Sequence, residues 1–262
     1  MSVISTLRHL YHERMAGKRK VGQSVNVLPG DVLHTLRTKG YAIVPGFFDA
    51  ALCDEIRSVI DRIAASPEAT GLREKVDQQP KLGWPVAGGY QIWTDAAGSD
   101  FRIIHAEKLH NGIQQYFDNA SLRDTGSLFL DRPLIGKHCM ANRTRFVPGN
   151  AGSGGGWHRD DVFRRGYKSL VYLVDVDENN GPFQLIENTQ SWGFHLQHKT
   201  SAEQYQYTAD FVEKIAASDP GRLKTLTASA GDMLLFETNL IHRGKPLWGG
   251  TRYALTNYYS FA

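Results

Sequence analysis

The stretch "GNAGSGGGWHRDD", Gly149–Asp161, packs glycine against Trp-His-Arg-Asp-Asp, and two folds compete to explain it. Glycine at this density makes either a phosphate cradle or a tight turn ahead of a working strand. A Walker-type loop needs Gly-Lys followed by Ser or Thr, and a dinucleotide fingerprint needs its own glycine spacing and then a helix. Neither follows here. The glycines therefore read as a turn into an extended segment. In such a segment alternate side chains share a face, so His158 and Asp160 point one way and Arg159 the other.

An imidazole and a carboxylate on one face make up two thirds of a 2-His-1-carboxylate triad, which holds Fe(II) and leaves coordination positions open. The third ligand is read at His242 in "LLFETNLIHRGKP", where an apolar strand and a short turn bring it to the far side of a small barrel. A rival pair, His105-Ala106-Glu107, runs on into "EKLHNGIQQYF", a helical pattern that suits a core-edge or surface histidine. Arg252 opens the last strand, "RYALTNYY", ten residues after His242. Its planar fork suits the distal carboxylate of a dicarboxylate cosubstrate bound to the metal.

Outward from this core, "HCMANRTRFVP", "KSLVYLVDV", "PFQLIEN", "GRLKTLTAS", "GDMLLFET" and "TRYALTNYYS" read as strands between Gly, Asn, Pro and Asp turns. One helical insert is expected at about 202–217. Upstream, "PGDVLHTLRTKG" reads as a helix stopped at Gly40. "DAALCDEIRSVIDRIAA" reads as a second, capped by Asp49, with Leu52, Ile56, Val59, Ile60 and Ile63 at helical spacing. Residues 66–100 read as an irregular excursion, with Tyr90, Gln91 and Trp93 weighed as part of a lid and as an ordinary packed loop. Helices first and short strands afterwards indicate a mainly β fold with supporting helices, a sandwich or open barrel. The domain reading is a basic extension over 1–28 and a single domain over 29–262. Within that domain, helical support spans 29–120 and the β core about 130–262.

The chain has 262 residues, 41% of them hydrophobic and 11% aromatic, enough for a real core. A formal net charge of +3 is too mild for a nucleic-acid binder, and the dense basic run Arg8–Lys20 reads as a solvated extension. Two cysteines give no disulfide framework, and no stretch approaches the apolar length of a membrane span. A cytoplasmic protein is expected. Around the ligand segment, Arg143, Arg145, Arg159, Arg164 and Arg165 suggest a polar or anionic small-molecule substrate, set against a solvated basic rim.

Through "WHRDD", "VDENNGPFQLIEN" and "AGDMLLFETNLIHRGKPLWGGTRYALTNYY", the chain resembles the phytanoyl-CoA dioxygenase-like family of Fe(II)/2-oxoglutarate-dependent oxygenases. The resemblance implies a double-stranded β-helix, the cupin-like jelly roll. It implies His158, Asp160 and His242 as iron ligands and Arg252 as the 2-oxoglutarate anchor. Arg143 and Arg145, on one face of the strand before the glycines, are implied to line the pocket. The implied reaction uses 2-oxoglutarate and dioxygen to hydroxylate an unactivated C–H bond of a small molecule, releasing succinate and CO2. Asp160 argues against halogenation, because related halogenases carry a small residue there. The sequence departs from its relatives at "IENTQSW", where Pro-Gly-Ser-His is common, and at Gly244, where a hydroxyl is common. Two other readings remain at this stage: a cupin-like isomerase or hydrolase without 2-oxoglutarate, and a non-catalytic binding protein on the same barrel.

Overall fold

The computed structural model describes residues 27–73, 75, 83–149, 155–160, 165–200 and 204–262. The basic run Arg8–Lys20, most of the 1–28 extension and Arg164 lie outside them. The helices are α1 Gly30–Lys39, α2 Ala50–Ala64, α3 Pro67–Arg73, α4 Asn111–Phe117, α5 Ala120–Leu130, α6 Trp192–Gln197 and α7 Ala209–Ser218. The strands are β1 Tyr41–Val44, β2 Trp84–Pro85, β3 Gln91–Thr94, β4 Asp100–Ile104, β5 Leu134–Arg145 and β6 Tyr167–Tyr172. They continue as β7 Phe183–Ile186, β8 Leu223–Leu226, β9 Met233–Glu237, β10 Ile241–Gly244 and β11 Thr251–Phe261.

Local chemistry sets the helical half. Gly40 ends α1 in the left-handed conformation, φ 79°, and its N–H bonds Leu36 O. The Asp49 carboxylate accepts from Leu52 N at 2.8 Å and caps α2, which buries Cys53, Ile56, Ile60 and Ala64. Cys53 is a core thiol, at 1% exposure.

Two antiparallel sheets face each other in a jelly roll. The larger has the order β1-β9-β6-β11-β5-β4-β3-β2 and the smaller β10-β7-β8. Strand alternation sorts the large sheet into two faces. Cys139 and Ala141 of β5, Val171 of β6, Met233 and Leu235 of β9 and Leu255 of β11 belong to the core beneath the helices. Their neighbours Met140, Asn142, Lys168, Leu170, Tyr172, Phe236, Ala254, Thr256 and Tyr258 line a cleft between the sheets. Among the described residues no helix is long and apolar enough to cross a membrane.

The excursion at 66–100 is more regular than expected. It contains α3, while β2, β3 and β4 extend the large sheet through antiparallel pairs that reach β5. Ile92 and Ile103 are fully buried at register-paired positions, a short period-two pattern that glycine- and proline-rich flanks obscure in the sequence. Gln91 and Trp93 are therefore strand residues, and Trp93 lies under the Arg102 guanidinium at 4.7 Å. The insert is also shorter than expected. Helix α7 begins at Ala209 behind a Thr208 cap, whereas Tyr205 and Tyr207 pair with the Trp157–Arg159 backbone. Ala202 and Glu203 lie outside the described residues.

Gly231 stands where the β8–β9 turn meets the start of α2. Its φ is 90°, and a Cβ there would collide with the Phe48 carbonyl oxygen. Gly231→Ala is expected to destabilise the fold by about 2–4 kcal/mol, and Gly249→Ala, where a Cβ meets nothing, by much less. Urea unfolding of the two variants measures the difference; equal midpoints would contradict it.

Candidate metal centre

Two backbone hydrogen bonds assemble the centre. His158 N donates to His242 O and His242 N to His158 O, each at 2.9 Å, so the two histidines are direct antiparallel partners. Their rings lie side by side with centroids 4.4 Å apart. Asp160 N donates to Thr238 O at 3.2 Å, which ties the carboxylate to the same turn that delivers His242. The expected alternation holds here without a regular strand. His158 and Asp160 face the cleft, and Arg159 turns away to 2% exposure.

Each imidazole is oriented from behind. His158 Nδ1 pairs with Gly156 O at 2.9 Å and His242 Nδ1 with Leu240 O at 2.7 Å, in both cases the carbonyl two residues earlier. A carbonyl only accepts, so each ring carries its proton on Nδ1 and presents the Nε2 lone pair forward. Gly156 aims its carbonyl with φ 98°, the tight turn that the glycine run foretold. Both Nε2 atoms stand 3.8 Å from an Asp160 oxygen, His158 from Oδ1 and His242 from Oδ2. All three donor atoms lie within 4.8 Å of one another. Cis ligands at bond lengths of about 2.1 Å sit about 3 Å apart, so a small inward movement closes the set on a metal ion.

The charge states suit such an ion. Burial raises the Asp160 carboxyl, but Lys168 and the two imidazoles outweigh it and bring its pKa down to about 2. Burial, helped by His158, lowers His242 to about 3. The centre therefore presents a carboxylate and a neutral buried imidazole at neutral pH, the forms that ligate. Phe183 stacks on His242 at 5.2 Å and Phe236 meets its edge at 5.4 Å, which walls that side with apolar rings.

The centre opens into a cleft of about 160 Å³ that communicates with solvent. Arg252 lines its far side at 4% exposure. Its Nη1 donates to Gly181 O and its Nη2 reaches Thr144 Oγ1 at 3.4 Å, while Nε is buried without a partner. Gly181, at φ 82° in the "ENNGP" turn, admits the guanidinium; a Cβ would stand 3.0 Å from Nη1. No carboxylate pairs with Arg252 among the described residues.

Arg143 and Arg145 do not line the cleft. They share a face as expected, but it is the face of Cys139 and Ala141, opposite to Met140 and Asn142. Arg143 pairs with Asp61 of α2 at 2.8 Å, and Arg145 donates to Gly98 O at 3.2 Å. Arg165 is likewise engaged, by buried Glu237 at 2.6 Å. Of the expected basic rim, Arg143, Arg159 and Arg165 are thus committed to structure. His105 pairs with Glu107 at 2.9 Å, far from the triad in role: the other Glu107 oxygen accepts from Cys139 N.

Sequence reasoning missed two further cations that line the cleft among the described residues, Lys168 and Arg102. Lys168 of β6 pairs with Asp160 Oδ2 at 2.7 Å, and Arg102 of β4 is held by Asp100 at 2.5 Å. Both carry a legible signal: a cation at an inward position of a largely apolar strand, "YKSLVY" and "DFRII".

Comparison with known proteins supplies the family context. The profile of the phytanoyl-CoA dioxygenase (PhyH) family matches residues 36–250. No curated protein sequence matches the chain. Among solved structures, it is similar to EctD from S. alaskensis with bound Fe, at 14% identity over 93% of this chain and 80% of that one, TM-score 0.63. It is similar to the epimerase SnoN in complex with Fe3+, alpha ketoglutarate and nogalamycin RO, at 16% identity over 88% and 83%, TM-score 0.59. HygX from Streptomyces hygroscopicus with nickel and 2-oxoglutarate bound is similar at 15% identity over 90% and 88%, TM-score 0.55. At these identities the likeness is one of fold.

Two outcomes are expected. His158→Ala and Asp160→Ala should each weaken Co(II) binding by more than about 100-fold with the fold retained, measured by calorimetry with circular dichroism; wild-type affinity in either would remove that residue from the centre. The second concerns acid. Burial lowers His138 and His195 to about 4, with His105 and Arg159 respectively adding to the shift. Their folded pKa values lie below the unfolded value of about 6.5, so protonation favours the unfolded chain. Stability present above about pH 6.5 should fall progressively as the pH drops towards 4. Thermal melts of metal-free protein at pH 7 and pH 5 test this, and a higher melting temperature at pH 5 would contradict it.

Proposed function

The chain belongs to the phytanoyl-CoA dioxygenase family of Fe(II)/2-oxoglutarate-dependent oxygenases, and on that premise we propose that His158, Asp160 and His242 hold the Fe(II) and Arg252 anchors the distal carboxylate of 2-oxoglutarate. We further infer that the enzyme hydroxylates an unactivated C–H bond of a small polar or anionic metabolite, with succinate and CO2 as co-products. Residues 29–262 act as one catalytic domain in this reading, and the protein works in the cytoplasm, consistent with two free buried cysteines.

The observation that carries the reading is the pairing of a ready donor set with an unanswered cation. Two imidazoles with Nδ1 committed to carbonyls present Nε2 towards one ionised carboxylate. Across the cleft, a buried guanidinium lacks an anionic partner among the described residues. A buried cation without a counter-ion is costly, and a dicarboxylate bound at the metal would answer it.

Bound Fe(II) supplies dioxygen activation coupled to the oxidative decarboxylation of 2-oxoglutarate. The chain supplies everything around that chemistry. His158, Asp160 and His242 would hold the ion from one side, which would keep positions free for 2-oxoglutarate and dioxygen. Arg252 would fix the far end of the cosubstrate through charge-assisted hydrogen bonds and so orient its keto acid end towards the three donors. Phe183 and Phe236 keep water from the His242 side. Met140, Asn142, Arg102, Thr256 and Tyr258 form the part of the wall left for substrate, apolar and hydrogen-bonding by turns. Its hydrogen-bonding members, Asn142, Thr256 and Tyr258, with Arg102 held by Asp100 beside them, favour a polar substrate.

Arg252→Ala should raise the apparent requirement for 2-oxoglutarate by roughly 30- to 150-fold, about 2–3 kcal/mol for the lost bidentate contact. Titration of 2-oxoglutarate decarboxylation in wild type and variant measures this. An unchanged curve would give the carboxylate to another residue, with Arg102 next in line.

A further inference from the structure

Lys168 occupies an uncommon place for a lysine. It lies on β6 between β11 and β9, where its register partners are Tyr258 and Phe236. Its side chain is 12% exposed, and its ammonium sits 4.0 Å over the Tyr258 ring and 2.7 Å from Asp160 Oδ2. The ring and the strand neighbours confine the stem, and Asp160 is its ion-pair partner among the described residues. The two Asp160 oxygens are thus unlike. Each faces one imidazole Nε2 at 3.8 Å, Oδ1 that of His158 and Oδ2 that of His242, but Oδ2 alone also carries the charge-assisted bond from Lys168.

That difference bears on how the carboxylate can bind a metal. A carboxylate ligates through one oxygen or through both. Binding through both would consume a position that the bidentate cosubstrate and dioxygen require. An ammonium held against one oxygen competes for that oxygen's lone pairs and fixes the rotation of the carboxylate, the usual work of a group behind a ligand. We propose that Lys168 is a positioning residue that keeps Asp160 monodentate, reserving Oδ1 for the metal and preserving the open position on which 2-oxoglutarate binding depends. This rests on the reading of Asp160 as a metal ligand. Lys168 then acts through Asp160.

The role separates two affinities that a general structural role would move together. Co(II) serves as an oxygen-stable probe, its visible spectrum reporting coordination, with calorimetric titrations of Co(II) and then of 2-oxoglutarate into the Co(II)-loaded protein. Wild type, Lys168→Met and Lys168→Arg are compared. In Lys168→Met, Co(II) affinity should stay within about threefold of wild type or rise, while 2-oxoglutarate affinity falls at least tenfold and the spectrum of the Co(II) form shifts. Lys168→Arg, which keeps a donor cation, should recover most of the 2-oxoglutarate affinity. Unchanged 2-oxoglutarate affinity in Lys168→Met would overturn the proposal, as would parallel losses of Co(II) and 2-oxoglutarate that arginine does not restore. If Lys168→Met does not fold, Lys168→Gln takes its place with the same expected split. Wild-type protein that binds no Co(II) would overturn the metal centre itself, a failure visible before any variant is made.

Discussion

The site depends on one reciprocal pair of hydrogen bonds, His158 N to His242 O and His242 N to His158 O. These residues lie far apart in the chain, on a segment after the glycine turn and on β10 of the small sheet. Backbone pairing sets their spacing directly, so neither ring relies on side-chain packing alone for its position. Each ring is then fixed in rotation by the carbonyl two residues before it. A loop residue held by two backbone bonds and a ring bond loses most of its freedom, which is what a preorganised donor set requires. Phe183, stacked on His242, comes from the strand that pairs with β10, so the same small sheet supplies both the ligand and its apolar cover.

Around this pair the large sheet divides labour by parity. Odd positions of β5 and β6 and the matching ones of β9 and β11 build the core under the helices, and the alternate positions furnish the cleft. The consequence is visible in its cations. Among the described residues Arg252 lies deep and without a counter-ion, while Lys168 is committed to Asp160 and Arg102 to Asp100. A cosubstrate dicarboxylate at Arg252 and a metal carboxylate at Asp160, as proposed above, would meet different partners at different ends of one strand ladder. Arg252 and Tyr258, which underlies Lys168, are six residues apart on β11, about 20 Å along an extended strand.

Much of this was legible in the sequence because it rests on short-range rules. Gly40 and Asp49 mark helix ends by backbone geometry and capping chemistry. The failure of the Gly149–Asp161 stretch to satisfy either phosphate pattern left a turn, and Gly156 makes one. His158 and Asp160 share a side because extended backbone alternates. What escaped depended on long-range registration. Arg143 and Arg145 were rightly given one face, but which face of β5 meets the cleft is decided by pairing with β11 and by α2 covering the other side. Lys168 and Arg102 matter only once β6 and β4 are folded over the site. The strands at 84–104 are too short and too closely flanked by glycine to declare themselves without the sheet they join.

The central claim is that this pocket binds Fe(II) and then 2-oxoglutarate in order, with both contacts made by the residues described. The most direct measurement is an anaerobic titration of the metal-free protein with Fe(II), followed by 2-oxoglutarate, watched for the visible metal-to-ligand charge-transfer band. The predicted result is a band that appears with the second addition in wild type and is absent in His158→Ala. Iron binding without a band would contradict the cosubstrate assignment, and well-folded protein that takes up no iron would contradict the centre as a whole.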